Sequence, residues 1–261
     1  MCKLFRLLKP LMPLLATAYA VALIYVTSMP LEGDVQTFSS ELMSWVITLA
    51  GIGLTLFILI RFEQKWFPET RQFSLKLPKL SSLAGLMLLA PLCLTIEGYV
   101  VYGLTSMVHT VQLEPLTYTA SELREDLLSS VHAVLLAPVL EELCFRQMAI
   151  SPFRRRRTQI AVCVVIAILF GMLHVRNFPG AFFSAMLYGL VFILSRNIWY
   201  GVALHAGHNL TAVLLAVYCW LGLGDIQMAK TPIIFLSDAK VIVGSVILAG
   251  IGLSLIKKLT P

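Results

Sequence analysis

The sequence predicts an all-α polytopic membrane protein of about eight transmembrane helices with both termini cytoplasmic. Three observations point there. The 261-residue chain is 58% apolar and only 13% charged, against about 25% charge in an ordinary soluble domain. Its apolar residues gather in runs near the ~20 that a helix needs to cross ~30 Å of hydrocarbon. Its basic residues concentrate in alternate loops, as in an oriented membrane chain.

Residues 1–9 carry Lys3, Arg6 and Lys9 ahead of an apolar run from Leu11 to about Met29. The arrangement has the form of a signal peptide, and Ala18-Tyr-Ala20 has the spacing of a cleavage site. The run continues past that point, so it reads as an uncleaved first span. The second span is about Leu42–Ile60 and the third about Ser82–Leu104. Glu97 lies near the far end of the third, where it either snorkels to the interface or meets a polar site. Leu127–Ile150 makes the fourth span, Thr158–Val175 the fifth and Gly180–Ser195 the sixth. The seventh is about Ile198–Leu221 and the eighth about Val241–Ile256. No internal repeat, soluble domain or low-complexity tract interrupts them. Residues 1–261 therefore read as one integral membrane domain.

The loops set the orientation. Fifteen of the twenty Lys and Arg residues, including Lys76, Lys79, Arg154 to Arg157 and Arg196, fall on the side that holds both termini. Acidic residues such as Glu114, Glu122, Asp225 and Asp238 fall on the other side. Loop basicity marks the cytoplasmic face, and an even number of spans agrees. The same distribution explains the net charge of +6 without nucleic acid as a partner, and the Arg154–Arg157 run reads as an anchor at anionic headgroups. Five scattered cysteines form no C-x-x-C pair, which leaves neither a disulfide framework nor a zinc knuckle.

The fourth span breaks the apolar pattern. Pro138-Val-Leu-Glu141-Glu142-Leu-Cys-Phe-Arg146 puts three ionisable residues inside it. Each costs at least about 2.5–3.5 kcal/mol at the centre of a membrane helix, so they need a functional reason. Glu142 and Arg146 are four apart and share a face, which suits an ion pair. Glu141 projects about 100° round the helix, off that face. A carboxylate outside an ion pair in a dry site is suited to act as a base.

Three further polar groups stand in apolar surroundings. His174 ends the fifth span in Phe170-Gly-Met-Leu-His174, and His205 and Asn209 share one face of the seventh. His208 mostly faces elsewhere. At about 1.5 Å per residue, Glu141 lies ~20 Å along its helix from Arg154 and His174 ~24 Å from Thr158. His205 and Asn209 lie ~12 and ~18 Å from Asn197 by the same measure. The four can gather around mid-membrane, with His205 shallowest and His174 deepest. A base, imidazoles and an amide donor suit amide hydrolysis. Glutamate and His174 would deprotonate a water, while His205 and Asn209 donate to the developing oxyanion.

Other intramembrane chemistries fit less well. There is no H-E-x-x-H, which argues against a zinc protease of that type. Gly222-Leu-Gly224-Asp225 has the G-x-G-D form, yet every Asp falls in an outer loop, so a second intramembrane aspartate is missing. No serine sits in a G-x-S-G context. Glu and His together would also suffice for a three-ligand zinc site, so a metal-dependent membrane protease stays as an alternative.

Taken together, Glu141-Glu142-x-x-x-Arg146, Phe170-x-x-x-His174 and His205-x-x-x-Asn209 resemble the three motifs of the type II CAAX prenyl endopeptidase and bacteriocin-processing (CPBP) family of glutamyl intramembrane proteases. The resemblance covers residues 121–222. It implies an endopeptidase with no cofactor and no metal, its active site within the bilayer among helices four, five and seven. Glu141 and His174 would activate water and His205 and Asn209 would form the oxyanion hole. Glu142, Arg146 and Phe170 would support them. The implied substrate is a peptide or membrane-anchored protein, and the compact chain suggests a bacterial inner membrane. Two other readings remain: a non-catalytic immunity or scaffold protein that keeps the motifs to hold helices together, and a proton-coupled transporter. Against the transporter, the two halves show no matching broken helices.

Overall fold

The computed structural model describes Arg61 and residues 74–256, apart from residues 109, 175–176, 225, 230–233 and 236–237. The first two expected spans lie outside the described residues. The chain divides into two compact units, Leu140–Gln159 belonging to one and Ser74–Val139 with Ile160–Pro261 making the other.

The described residues are mostly helical, in the order α1 (Leu80–Ser106), α2 (Ala120–Val131), α3 (Ala137–Glu142), α4 (Arg156–Leu173), α5 (Phe178–Ser195), α6 (Ile198–Trp220) and α7 (Ala239–Leu255). Four of them, α1, α4, α5 and α6, are long and apolar enough to cross a membrane, and α7 is apolar but one residue shorter than α4 and α5. They correspond to the third, fifth, sixth, seventh and eighth expected spans. Exposed Val164, Val165, Ile168 and Leu169 on α4, and Val243, Val246, Ile247 and Ile251 on α7, make apolar faces of the kind that a bilayer covers.

The fourth expected span has a different backbone. Between α2 and α3 lies a π-helical turn, His132–Leu136, and a second, Leu143–Met148, follows α3. Pro138 accounts for a local feature of the first turn. In π register the carbonyl of residue 133 accepts from the N–H of residue 138, and proline has none. Asn209 of α6 supplies the missing donor: its Nδ2 donates to Ala133 O at 2.7 Å.

Within the larger unit, α1 packs against α7 and α6. Glycine makes both approaches possible. A Cβ on Gly85 would fall 2.6 Å from the Gly252 carbonyl of α7, and one on Gly252 would fall 2.5 Å from Gly85 O. On the other side, Pro91 deprives Met87 O of its helical donor. Gly207 of α6 packs there, where a Cβ would lie 2.9 Å from that oxygen. Around these crossings Leu86 and Ala90 of α1, Tyr188 of α5, and Tyr200, Ala203 and Leu204 of α6 form a buried core.

The ends of this unit are tied differently. At one end Ser74 N–H donates to Arg196 O at 2.7 Å, and Asn197 Nδ2 donates to Lys76 O at 2.9 Å. Trp199 Nε1 adds a bond to Leu75 O at 2.8 Å. Arg196 takes a left-handed φ of 53° to end α5, and Asn197 caps α6 through Trp199 N–H. At the far end of α6, three short strands form an antiparallel sheet in the order β1 (Leu113–Pro115), β2 (Gln227–Ala229), β3 (Ile234–Phe235). This sheet is a small addition to the expected all-α fold. It joins the α1–α2 and α6–α7 connections.

Candidate active site

In the smaller unit, Glu142 closes α3 and Arg146 stands one turn on, within the second π turn. Their side chains pair at 3.2 Å between Nη1 and Oε1, with exposures of 1% for Arg146 and 0% for Glu142. The i,i+4 pair expected from the sequence is therefore present, in full burial. The Arg146 guanidinium also lies 5.9 Å from the centroid of the Phe145 ring. Glu141 is half-buried, and Cys144 beside it is fully buried, as a small apolar filler would be.

The other candidates belong to the larger unit. The α4 helix ends at Leu173, so His174 follows the helix instead of lying inside it, and it is exposed. Its backbone N–H still closes the last turn on Gly171 O at 3.0 Å. The ring turns back onto the same turn, where Nδ1 lies 2.8 Å from Phe170 O and the ring stacks on Phe170 at 4.4 Å. A carbonyl oxygen only accepts, so Nδ1 carries the hydrogen and the neutral ring keeps its lone pair at Nε2. The four-residue spacing of Phe170 and His174 thus sets a tautomer as well as a position.

Phe170 also meets His205 edge-on, at 6.2 Å between centroids and 74° between planes. His205 is 5% exposed and stacks on Tyr188 of α5 at 4.5 Å and 20°. Asn209, one turn further along α6, is the half-buried residue whose Nδ2 bonds Ala133 O. That bond takes one of its two amide hydrogens. Within this unit the structure therefore groups Phe170, His174 and His205 in one row of rings, with Asn209 on the His205 face. Glu141, Glu142 and Arg146 lie in the other unit.

Tyr188 and Ser184 escaped the sequence reading. Both lie in an apolar stretch of α5, four residues apart, and that spacing of polar groups on one face was the available signal. His208, expected from its position to face mostly elsewhere than Asn209, has its Nε2 3.9 Å from Glu97 Oε2.

Among the described residues, four helices long and apolar enough to cross a membrane accompany a buried ion pair in one short segment and histidine rings on the turns of others. Residues 124–211 match the family model of type II CAAX prenyl endopeptidase Rce1-like proteins, a protease family. The matched stretch includes all three motifs, from Glu141 to Asn209. Searches among curated proteins and solved structures found no match.

Proposed function

We propose that the chain is an intramembrane endopeptidase of the CAAX type that uses a glutamate and a histidine to activate water. The observation that carries this reading is the family match over residues 124–211, which contains every residue the mechanism needs. Glu141 takes a proton from water, with Nε2 of His174 as the second acceptor, and the hydroxide adds to the scissile carbonyl. His205 and the remaining amide hydrogen of Asn209 donate to the oxyanion, where one such donor is worth ~10²–10³ in rate. Collapse of the tetrahedral intermediate breaks the C–N bond, and Glu141 returns its proton to the leaving amine. The tautomer that Phe170 O imposes on His174 supports this assignment, because a base needs its lone pair facing the reaction.

The substrate is a peptide or membrane-anchored protein reached within the bilayer. The site is assigned to the fourth, fifth and seventh of eight spans, with both termini cytoplasmic in a bacterial inner membrane. Detergent-purified protein is tested against a fluorogenic peptide library that includes prenylated CAAX-type members, with and without EDTA and 1,10-phenanthroline. Wild type cleaves with or without chelator, whereas Glu141→Gln folds and does not cleave. A Glu141→Gln protein with wild-type turnover defeats the assignment, and cleavage lost to chelators transfers it to a metalloprotease.

One observation favours a second reading. The Asn209–Ala133 bond ties α6 to the π turn whether or not any chemistry occurs, as a scaffold or immunity protein would require. In that case Asn209→Ala lowers stability and no peptide in the library is cut.

A further inference from the structure

Glu97 is an acid in the apolar helix α1 to which the proposed hydrolysis gives no role. Its side chain is 12% exposed, and a carboxylate in such a place needs partners. Two helices provide them. Ser184 Oγ of α5 donates to Glu97 Oε2, and His208 Nε2 of α6 lies 3.9 Å from the same oxygen. That separation is a close approach beyond hydrogen-bond length, ionic only when the imidazole is protonated. Gly180 leaves room for the arrangement, since a Cβ there would fall 2.7 Å from Glu97 Oε1.

The same groups lead to His205. His208 is three residues beyond it on α6, and the Tyr188 ring touches both, stacked on His205 and edge-on to His208 at 6.2 Å and 83°. Tyr188 and Ser184 are one turn apart on α5. Next to His208, Gly207 rests against Met87 and Ala90 of α1, where a Cβ would lie 2.7 Å from Met87 Cα. The 205–208 turn is therefore held from two sides. Close backbone packing fixes its distance from α1, apolar packing of Tyr200, Ala203 and Leu204 holds the turn before it, and the polar contacts of His208 add a hold on its rotation about the α6 axis. His208 Nδ1 is buried and makes no hydrogen bond among the described residues, so the contacts of Nε2 and of the ring orient this side chain.

We propose that Glu97, together with Ser184 and His208, is a positioning device that sets the rotation of α6 and so keeps the His205 ring stacked on Tyr188. Its catalytic consequence rests on the reading of His205 as an oxyanion donor, but its structural consequence does not. Glu97 touches no reacting atom. It acts through His208 and the helix, and a displacement of the oxyanion donor by an ångström is enough to cost ~10²-fold in rate.

The test uses full-length protein in detergent, labelled with ¹³C at the histidine ring carbons. The His205 signal is assigned by its loss in His205→Gln. In wild type it carries an upfield ring-current shift from Tyr188, which Tyr188→Leu removes. Glu97→Gln moves the signal toward the Tyr188→Leu position, and Ser184→Ala moves it part of the way. In the peptide assay Glu97→Gln lowers kcat by ~10- to ~100-fold with KM within about twofold. A His205 signal unmoved by Glu97→Gln overturns the proposal, whatever the activity. If Glu97→Gln fails to fold, Ser184→Ala decides: a shift in the same direction supports the device and no shift refutes it. Absence of Glu141-dependent cleavage in wild type defeats the protease reading alone, because the ring shift still reports on positioning.

Discussion

Glu142 and Arg146 are the most deeply buried charges of the described chain, and each is tolerable because of the other. A pair of this kind adds little net stability over an apolar pair, but the loss of one partner leaves a bare charge in a dry site. Arg146→Ala and Glu142→Ala are each expected to destabilise by about 3–5 kcal/mol, read as loss of folded protein in thermal melts. The Glu142→Gln/Arg146→Met double variant melts above either single alanine variant, since no charge is stranded. A double variant less stable than both singles would show that the pair itself, and not the avoidance of a stranded charge, holds the segment. Glu141, half-buried and off the paired face, is expected to behave otherwise: Glu141→Gln keeps the melting temperature and loses cleavage.

Helix contacts in this protein depend on what glycine leaves out. Gly85 and Gly252 meet backbone to backbone, so Gly252→Leu forces α7 away from α1, and overpacking of this kind costs about 1–3 kcal/mol. Gly250, two residues away, has nothing within 4 Å of its Cβ position, and Gly250→Leu is expected to melt like wild type. Equal melting temperatures for the two variants would contradict the crossing. Helix starts carry a second prediction. Thr119 N–H and Oγ1 both donate to Glu122 Oε2 at 2.8 Å, and Glu122 N–H returns a bond to Thr119 Oγ1, a capping box for α2. Asp238 accepts from Tyr218 and from Lys240 N–H at the start of α7. These bonds hold both carboxyls below the usual range, the Thr119 backbone N–H leading for Glu122 and the Tyr218 hydroxyl for Asp238. A folded pKa below the unfolded one means stability that is complete above the ordinary carboxylate range of about 4 and lost as pH falls through the folded value. The melting-temperature gap between wild type and Glu122→Ala or Asp238→Ala should therefore be full at neutral pH and close in acid. Such details show what a sequence reveals at this scale. Apolar runs located α1, α4, α5, α6 and α7 within a few residues, because length and hydropathy alone decide a span. The first π turn was not legible, since the Ala133 carbonyl that Pro138 leaves without a donor is met by Asn209 from 76 residues away in the chain. His174 was placed inside a helix because periodicity does not mark where the last turn opens.

At the scale of the molecule, two-sidedness is the property that the larger unit makes physical. The Ser74–Lys76 segment is hydrogen-bonded to the Arg196–Trp199 turn at one end, and β1 pairs with β2 beyond the other end of α6. The 23 residues of α6 separate these ends by about 34 Å at 1.5 Å per residue, enough to span the hydrocarbon. Lys76, Lys79 and Arg196 thus share one end, as the loop count required, and Glu114 and Asp238 belong to the connections at the other. Because basic loops are retained in the cytoplasm, the Arg196 end should face inward. In a cysteine-free background, Lys79→Cys and Arg196→Cys should react with a membrane-impermeant maleimide only after permeabilisation, whereas Gln112→Cys should react in intact cells. The three positions are exposed, so reactivity reports sidedness and not burial. The reverse pattern would invert the orientation and move both termini outside, leaving the pairing of ends intact. Lys79 and Arg196 labelling from opposite sides would break the two-ended architecture itself, since the hydrogen bonds that join their segments cannot cross a bilayer.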